Sequence, residues 1–317
     1  MAEEDSRGPM MLFPDSSDGA GRLRGLLGEE KILEVPGCFD ALSARVVERA
    51  GFPAAFLGGF SVAASRLGLP DVGLLSYGEM IDQATNVCAA TSLPVMGDAD
   101  TGYGNGLNAE RTLLGCVRAG LACLMIEDQL WPKRCGHTPG KEVVDRDEAL
   151  QRVRACVRIR EEMGAEILIL ARTDANATDG IEEALWRVEA FADAGADLTF
   201  LEAPEDARQM ERYCSSVPGW KVANMVEDGR TPWFTAGELE SMGYSLVLYP
   251  VSLLLHSIEA MQTAADEIRS SGGRSAGDTS QSPRATFNQA RELVGWPDYE
   301  ERLDRLAVAS PPKPDPK

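Results

Sequence analysis

The sequence predicts one (β/α)8 barrel followed by an extra C-terminal helix. Eight short apolar or β-branched runs alternate with longer segments of helical period: KILEV (31–35), AAFLG (54–58), PVMGD (94–98), ACLMIE (122–127), EILILAR (166–172), DLTFLE (197–202), KVANMV (221–226) and SLVLY (245–249). Such alternation implies parallel strands joined by right-handed crossovers, and eight of them suit a closed barrel better than the alternative, an open doubly wound sheet. Three joints repeat the same chemistry: ERAGF (48–52), VRAGL (117–121) and DAGAD (193–197) each place a glycine after a helix and before a strand. That is the position of a left-handed helix C-cap.

In chain order, residues 1–29 are polar and glycine-rich and are expected to be a flexible tail, with the barrel spanning 30–269. Helix candidates between the strands include 76–91, 147–164 and 181–195, and in the last of these Leu185, Val188 and Phe191 recur at helical spacing. SSGGRSAGDTSQSP (270–283) reads as a linker by composition. A helical segment over 284–307 and a disordered proline-rich tail over 308–317 complete the expectation.

The 317 residues are 44% hydrophobic and 6% aromatic, enough for a large core. Fifty acidic residues against 31 basic give a net charge of −19, which argues against nucleic-acid binding. No apolar run approaches the roughly 20 residues that span a membrane. Seven cysteines (38, 88, 116, 123, 135, 156 and 214) lack CxxC spacing, and the start MAEEDSRGPMM is acidic where a targeting peptide is basic. The expectation is a soluble cytoplasmic protein with reduced thiols.

A barrel places its chemistry at the C-terminal ends of its strands. Here strand two ends in Gly58-Gly59, strand three in Asp98 and Asp100, and strand four in Glu127-Asp128. Strand five ends in Arg172 and Asp174, strand six in Glu202 and strand seven in Asn224. Carboxylates crowded at one mouth repel unless a cation neutralises them, and an all-oxygen set without a histidine cluster suits Mg2+ or Mn2+. The glycines of GYGNG (102–106) read as a turn that brings backbone close to that site. Cys135 stands apart from the other thiols: it lies on a Pro- and Gly-containing loop beside Lys133, Arg134 and His137, whose charges are expected to lower its pKa.

Over roughly residues 30–300 the chain resembles the isocitrate lyase / phosphoenolpyruvate mutase superfamily. The carrying motifs are DADTGYGN (98–105), EDQ-x-x-PKRCGH (127–137), ARTDA (171–175), LEAPE (201–205) and ANM-x-E-x-G-x-TP (223–232). The resemblance implies a barrel that exchanges its last helix with a partner subunit, in a homotetramer built as a dimer of dimers. It implies Mg2+ at Asp98, with Asp100, Glu127 and Asp71 acting through water. Cys135, Arg172, Glu202 and His137 fall on the catalytic set, and Gly58, Gly59, Phe60, Lys133, Gly136 and Asn224 on the set that binds a small carboxylate substrate.

The KRCGH loop resembles that of the C–C lyases and of the oxaloacetate hydrolases, which give oxalate and acetate, rather than that of the mutases and phosphonopyruvate hydrolases. In methylisocitrate lyases an arginine follows the eighth strand where this chain has Leu255, and loss of that bidentate donor disfavours a tricarboxylate. The implied reaction is Mg2+-dependent cleavage of an alkyl-substituted malate to a 2-oxo acid and a carboxylate. A non-catalytic barrel that binds an acid is the reading from another class.

Overall fold

In the computed structural model, residues 18–270 and 284–306 are described, and the chain divides into two compact units, 1–260 and 261–317. The first holds eight strands: β1 (Leu33–Cys38), β2 (Ala55–Leu57), β3 (Val95–Asp98), β4 (Cys123–Glu127), β5 (Leu168–Thr173), β6 (Leu198–Leu201), β7 (Trp220–Asn224) and β8 (Leu246–Tyr249). All neighbours pair in parallel and β1 pairs with β8, so the barrel is closed in sequence order. Each strand falls within a few residues of its expected run. The three glycine joints carry left-handed backbone, with φ of 86° at Gly51, 90° at Gly120 and 99° at Gly195, a region that costs a residue with a Cβ.

Side chains on each strand alternate between two cores. Along β5, Leu168 and Leu170 point into the barrel, while Ile169 and Ala171 face the helices. Along β4, Cys123 and Met125 are inside, and Leu124 and Ile126 outside. The outer layer comprises α2 (Ala41–Arg49), α3 (Gly59–Val62), α4 (Tyr77–Cys88), α5 (Gly106–Ala119), α6 (Arg146–Met163), α7 (Ile181–Asp193), α8 (Ala207–Ser216) and α9 (Ala236–Met242). Their starts are fixed locally: Asp40 accepts from Ser43 N at 2.7 Å, and capping boxes pair Ser76 with Glu79 and Thr235 with Glu238.

The tail expectation fails for residues 19–27, which form α1 (Gly19–Leu27). Its glycines are poor helix formers, but Leu23 and Leu27 are buried in the inner cluster with Leu33 and Ala122. Burial of two leucines, about 1.5–3 kcal/mol each, outweighs the propensity deficit. Residues 1–17 lie outside the described set, as do 271–283 of the expected linker and 307–317 of the expected tail.

The helix α10 (Ser252–Ser270) follows β8. In the second unit the expected terminal helical segment is two helices, α11 (Phe287–Leu293) and α12 (Trp296–Leu306), broken at Gly295 with φ 76°. They are joined where Glu300 accepts from Trp296 Nε1 at 2.7 Å and from Arg291 at 2.8 Å. Among the described residues no helix is long and apolar enough to cross a membrane, and all seven cysteines are free.

Candidate active site

The inward alternation of the strands does not stop at the core; it runs on into the mouth. Met96, Met125, Leu170, Phe200 and Val222 belong to the inner cluster, and two residues further on stand Asp98, Glu127, Arg172, Glu202 and Asn224. A period of two therefore carries these side chains to the same end of the barrel interior. A cavity of about 280 Å3 opens there, lined by Asp98, Cys135, Arg172, Glu202, Asn224 and Leu255 among others. Gly58, Gly59 and Phe60, at the start of α3, line a smaller inner cavity of about 50 Å3 together with Asp98 and Arg172.

The acid cluster is built from backbone. Asp98 Oδ2 accepts from Gly59 N and its Oδ1 from Asp100 N, both at 3.0 Å. A Cβ at Gly59 would stand 2.9 Å from Asp98 Oδ2, so any side chain here would displace that carboxylate. The Gly59 N–H, expected to cradle substrate, is thus engaged by Asp98. Asp100 has φ 48°, a left-handed conformation that costs a non-glycine residue energy and marks functional positions. Burial, together with the charges of Asp98 and Asp71, pushes its carboxyl up to about 7 even though Lys133 opposes this. Burial likewise holds Glu127 well above the usual carboxylate range, against the pull of Arg172.

Lys133 corrects the expectation that its charge serves Cys135. Its side chain is 3% exposed, and Nζ lies 2.6 Å from both Asp71 Oδ1 and Asp100 Oδ1. Burial favours loss of its proton, but Asp100, Asp98 and Asp71 outweigh this and keep it protonated. Arg134 is exposed and donates to Pro139 O at 3.3 Å. The thiol of Cys135 is therefore not lowered: burial raises it, and a backbone hydrogen bond at His137 only partly offsets this. Neighbours in sequence on an irregular loop point in different directions. At the GYGNG turn, a Cβ at Gly102 would meet Ala109 of α5 at 3.1 Å. That turn packs on a helix.

On the other side of the cavity, Arg172 is bound by Asp174 through two hydrogen bonds, Nε to Oδ2 at 2.9 Å and Nη2 to Oδ1 at 3.0 Å. Its Nη1 is 3.4 Å from Glu127 Oε2, and its Nε is 3.7 Å from Glu202 Oε2. Burial would raise Asp174, but Arg172 and Lys141 hold it at about 2. Burial would raise Glu202 too, but Arg172 and His137 bring it below its ordinary value. His137 Nδ1 accepts from Arg230 N at 3.0 Å, which places the ring proton on Nε2, 2.9 Å from Glu202 Oε1. A Cβ on Gly136 would run into Glu202 and Arg172, so this glycine lets the loop close onto both.

Asp174 was legible as an acid at the end of β5 but had no role assigned to it, whereas Lys141 carries no sequence signal. Outside the ring, Asp128 accepts from Thr173 Oγ1 at 2.6 Å and Arg187 Nη1 at 3.0 Å, bracing the end of β5.

The donors fit a hydrated divalent cation. Asp100 Oδ2 and Glu127 Oε1 are buried without a hydrogen-bond partner, and such orphaned acceptors call for water or an ion. Among the described residues no three of His, Cys, Asp or Glu stand close enough to hold an ion directly.

A closed parallel barrel with its reactive side chains gathered at the C-terminal mouth defines a barrel enzyme. Residues 23–269 match the phosphoenolpyruvate phosphomutase family, and the chain belongs to it, within the PEP mutase/isocitrate lyase superfamily. It is 43% identical over 242 residues to 2,3-dimethylmalate lyase of Eubacterium barkeri, covering 76% of this chain and 83% of the relative. It is 38% identical over 293 residues to the chloroplastic carboxyvinyl-carboxyphosphonate phosphorylmutase of Arabidopsis thaliana, covering 91% and 86%. Among solved structures, oxaloacetate acetylhydrolase with the inhibitor 3,3-difluorooxalacetate superposes with a TM-score of 0.85 at 32% identity, covering 92% of this chain and 98% of that one.

Proposed function

We propose that the protein is a C–C lyase that cleaves a 2,3-dialkylmalate to a 2-oxo acid and a carboxylic acid. The observation that carries this reading is Cys135 lining the same cavity as Arg172 and the acid cluster, where burial pushes its thiol up. A raised thiol pKa suits a group that must hold a proton until a carbanion takes it.

Asp98 would hold Mg2+ or Mn2+, with Asp71, Asp100 and Glu127 holding its waters. The ion, when bound, supplies positive charge beside the substrate's 2-oxygen. Arg172, fixed in its plane by Asp174, faces the oxygen on which charge develops. The hydroxyl proton passes to water at the mouth, the electron pair it leaves on the 2-oxygen becomes the second bond of the 2-oxo group, and the C2–C3 bond breaks. The released pair stays on C3, beside the second carboxylate, and C3 takes the proton from Cys135 Sγ. His137 holds Glu202 and so keeps the loop against the mouth, while Asn224 stands 3.4 Å from Glu202 Oε2 with its own Oδ1 unpartnered. Phe60, Val226, Val251 and Leu255 give the cavity an apolar wall that suits alkyl substituents.

The likeness to oxaloacetate acetylhydrolase supports a second reading, hydrolysis of oxaloacetate to oxalate and acetate. The name of the Arabidopsis relative points to phosphorus–carbon chemistry, which has no use for the thiol donor. A screen of dialkylmalates, 2-methylisocitrate, oxaloacetate and phosphonopyruvate for 2-oxo acid or oxalate release separates these readings. Cys135→Ser should cut dialkylmalate cleavage by about 10²-fold or more, the scale of an acid–base group. Cleavage by that variant at the wild-type rate removes the acid role, and turnover of oxaloacetate alone moves the assignment to the hydrolase.

A further inference from the structure

Residues 130–142 form the loop that carries Cys135. Within this run only Lys133, Gly136 and Lys141 are buried, and two of the three are lysines. Lys133 answers the acid cluster. Lys141 does something else: its side chain is 1% exposed, and Nζ donates to Asp174 Oδ1 at 2.6 Å and to the backbone carbonyl of Gly136. These partners sit on different parts of the molecule. Gly136 lies between Cys135 and His137, whereas Asp174 follows β5 and holds Arg172 through two hydrogen bonds. Neither Lys141 nor Asp174 lines the cavity.

The base of the loop is secured separately. Gln129 and Val143 form an antiparallel bridge, and Leu130 N donates to Glu142 O at 2.8 Å. The tip is braced within itself, since Arg134 Nη1 donates to Pro139 O at 3.3 Å and Thr138 N to Cys135 O at 2.9 Å. The Gln129 amide ties Arg134 to the base by donating to its O at 2.8 Å and accepting from its N at 2.9 Å. A braced tip on a fixed base moves chiefly as one piece, and what keeps it down is its set of contacts with the barrel. Those of Lys133 and His137 end on Asp71, Asp100 and Glu202, groups in the reaction site itself, and on the backbone N–H of Arg230. The contact of Lys141 ends on Asp174, behind Arg172.

We propose that Lys141 is a positioning residue, a latch that holds the Cys135 loop on the barrel mouth by bridging the Gly136 carbonyl to Asp174. Because Asp174 is also the clamp on Arg172, the latch ties the delivery of the proton donor to the orientation of the arginine. A charge-assisted bond buried on both sides is strong enough to set the open and closed populations of a loop. The catalytic part of this role rests on the lyase reading; the mechanical part does not.

Lys141→Met keeps the length and apolar stem of the side chain and removes its donor. Asp174 remains paired with Arg172, so no buried carboxylate is stranded. In the full-length, substrate-free protein, alkylation of Cys135 by iodoacetamide, followed by peptide mass, should accelerate about tenfold or more, the scale of a lost charge-assisted hydrogen bond. Cys214, half-buried on α8, is the internal control and should keep its rate. With the best substrate from the screen, kcat should fall by a similar factor while KM changes little. An unchanged Cys135 rate overturns the latch. A parallel rise at Cys214 overturns it too, since that reports general loosening of the fold. Faster alkylation with wild-type kcat overturns the positioning role. Faster alkylation in a protein whose wild type turns over none of the screened acids leaves the latch standing and overturns the lyase reading.

Discussion

Gly136→Ala isolates the fit of the loop against the mouth. The φ of Gly136 is not among the positive values, so the backbone itself accepts alanine and the cost is one of contact. The new methyl would stand 2.6 Å from Glu202 Cδ and closer still to Glu202 Oε1 and Arg172 Nη2. Neither neighbour is a free chain end: Glu202 is fully buried between Arg172 and His137, and Arg172 is clamped by Asp174. Overpacking of this kind costs about 1–3 kcal/mol. A loop that lifts escapes the clash, so the cost falls on the closed form needed for proton delivery. The free enzyme already holds the loop on the mouth, so the variant relieves the clash by opening. Only the cost in excess of that opening appears in kcat/KM, as a loss of up to about 150-fold. The melting temperature should move little, because the barrel does not depend on the loop's position. The assay is 2-oxo acid release from the best dialkylmalate beside a thermal melt. A kcat/KM within about twofold of wild type would refute the reasoning, since the loop would then not close on Glu202 and Arg172 as it does here.

Chelation should abolish turnover and Mg2+ restore it; Asp98→Ala should fail to bind Mn2+ by electron paramagnetic resonance, and binding of wild-type strength by that variant removes Asp98 as the holder. The same variant strands the N–H groups of Gly59 and Asp100, so its melting temperature should also fall. Leu255→Arg places a guanidinium on the apolar wall and should raise the kcat/KM ratio of 2-methylisocitrate to dialkylmalate by about tenfold or more, whereas an unaltered ratio shows that Leu255 does not set the choice. Asp174 binds its proton only near pH 2 when folded, below its ordinary 3.8. Its stabilising effect is thus present above about pH 4 and is lost as pH falls from there towards 2, a loss of roughly 2 kcal/mol by linkage. Asp174→Asn should be less stable than wild type in denaturant melts at pH 6 and close to it near pH 2; a gap that does not narrow contradicts the assignment.

The barrel was legible because its signals are local. Apolar runs of strand length and glycine at the helix ends are both set within a few residues, and both reappear almost in register. The ring of Asp98, Glu127, Arg172, Glu202 and Asn224 was legible for the same reason, since counting by two along a strand locates an inward side chain. Contacts across the chain were not. Leu23 and Leu27 turn a glycine-rich stretch into a helix only because the barrel offers them a cover. Lys133, Arg134 and His137 sit together in sequence but reach Asp71 and Asp100, Pro139 and Glu202 respectively. Lys141 meets an acid 33 residues away, and no periodicity announces such a pairing.

The same pleat that fills the barrel also arms it, with consequences for how such a chain changes over time. Positions 96, 125, 170, 200 and 222 carry packing; positions 98, 127, 172, 202 and 224 stand at the mouth and carry the proposed chemistry. The two sets are separated by one strand repeat, about 6.6 Å. On the proposed function, a replacement in the upper tier would alter which bond is attacked or which acid is admitted, and the tier beneath would keep the scaffold whole. Innovation and integrity are thus inherited at different addresses on the same strands, and a lineage can explore new substrates without first renegotiating its architecture.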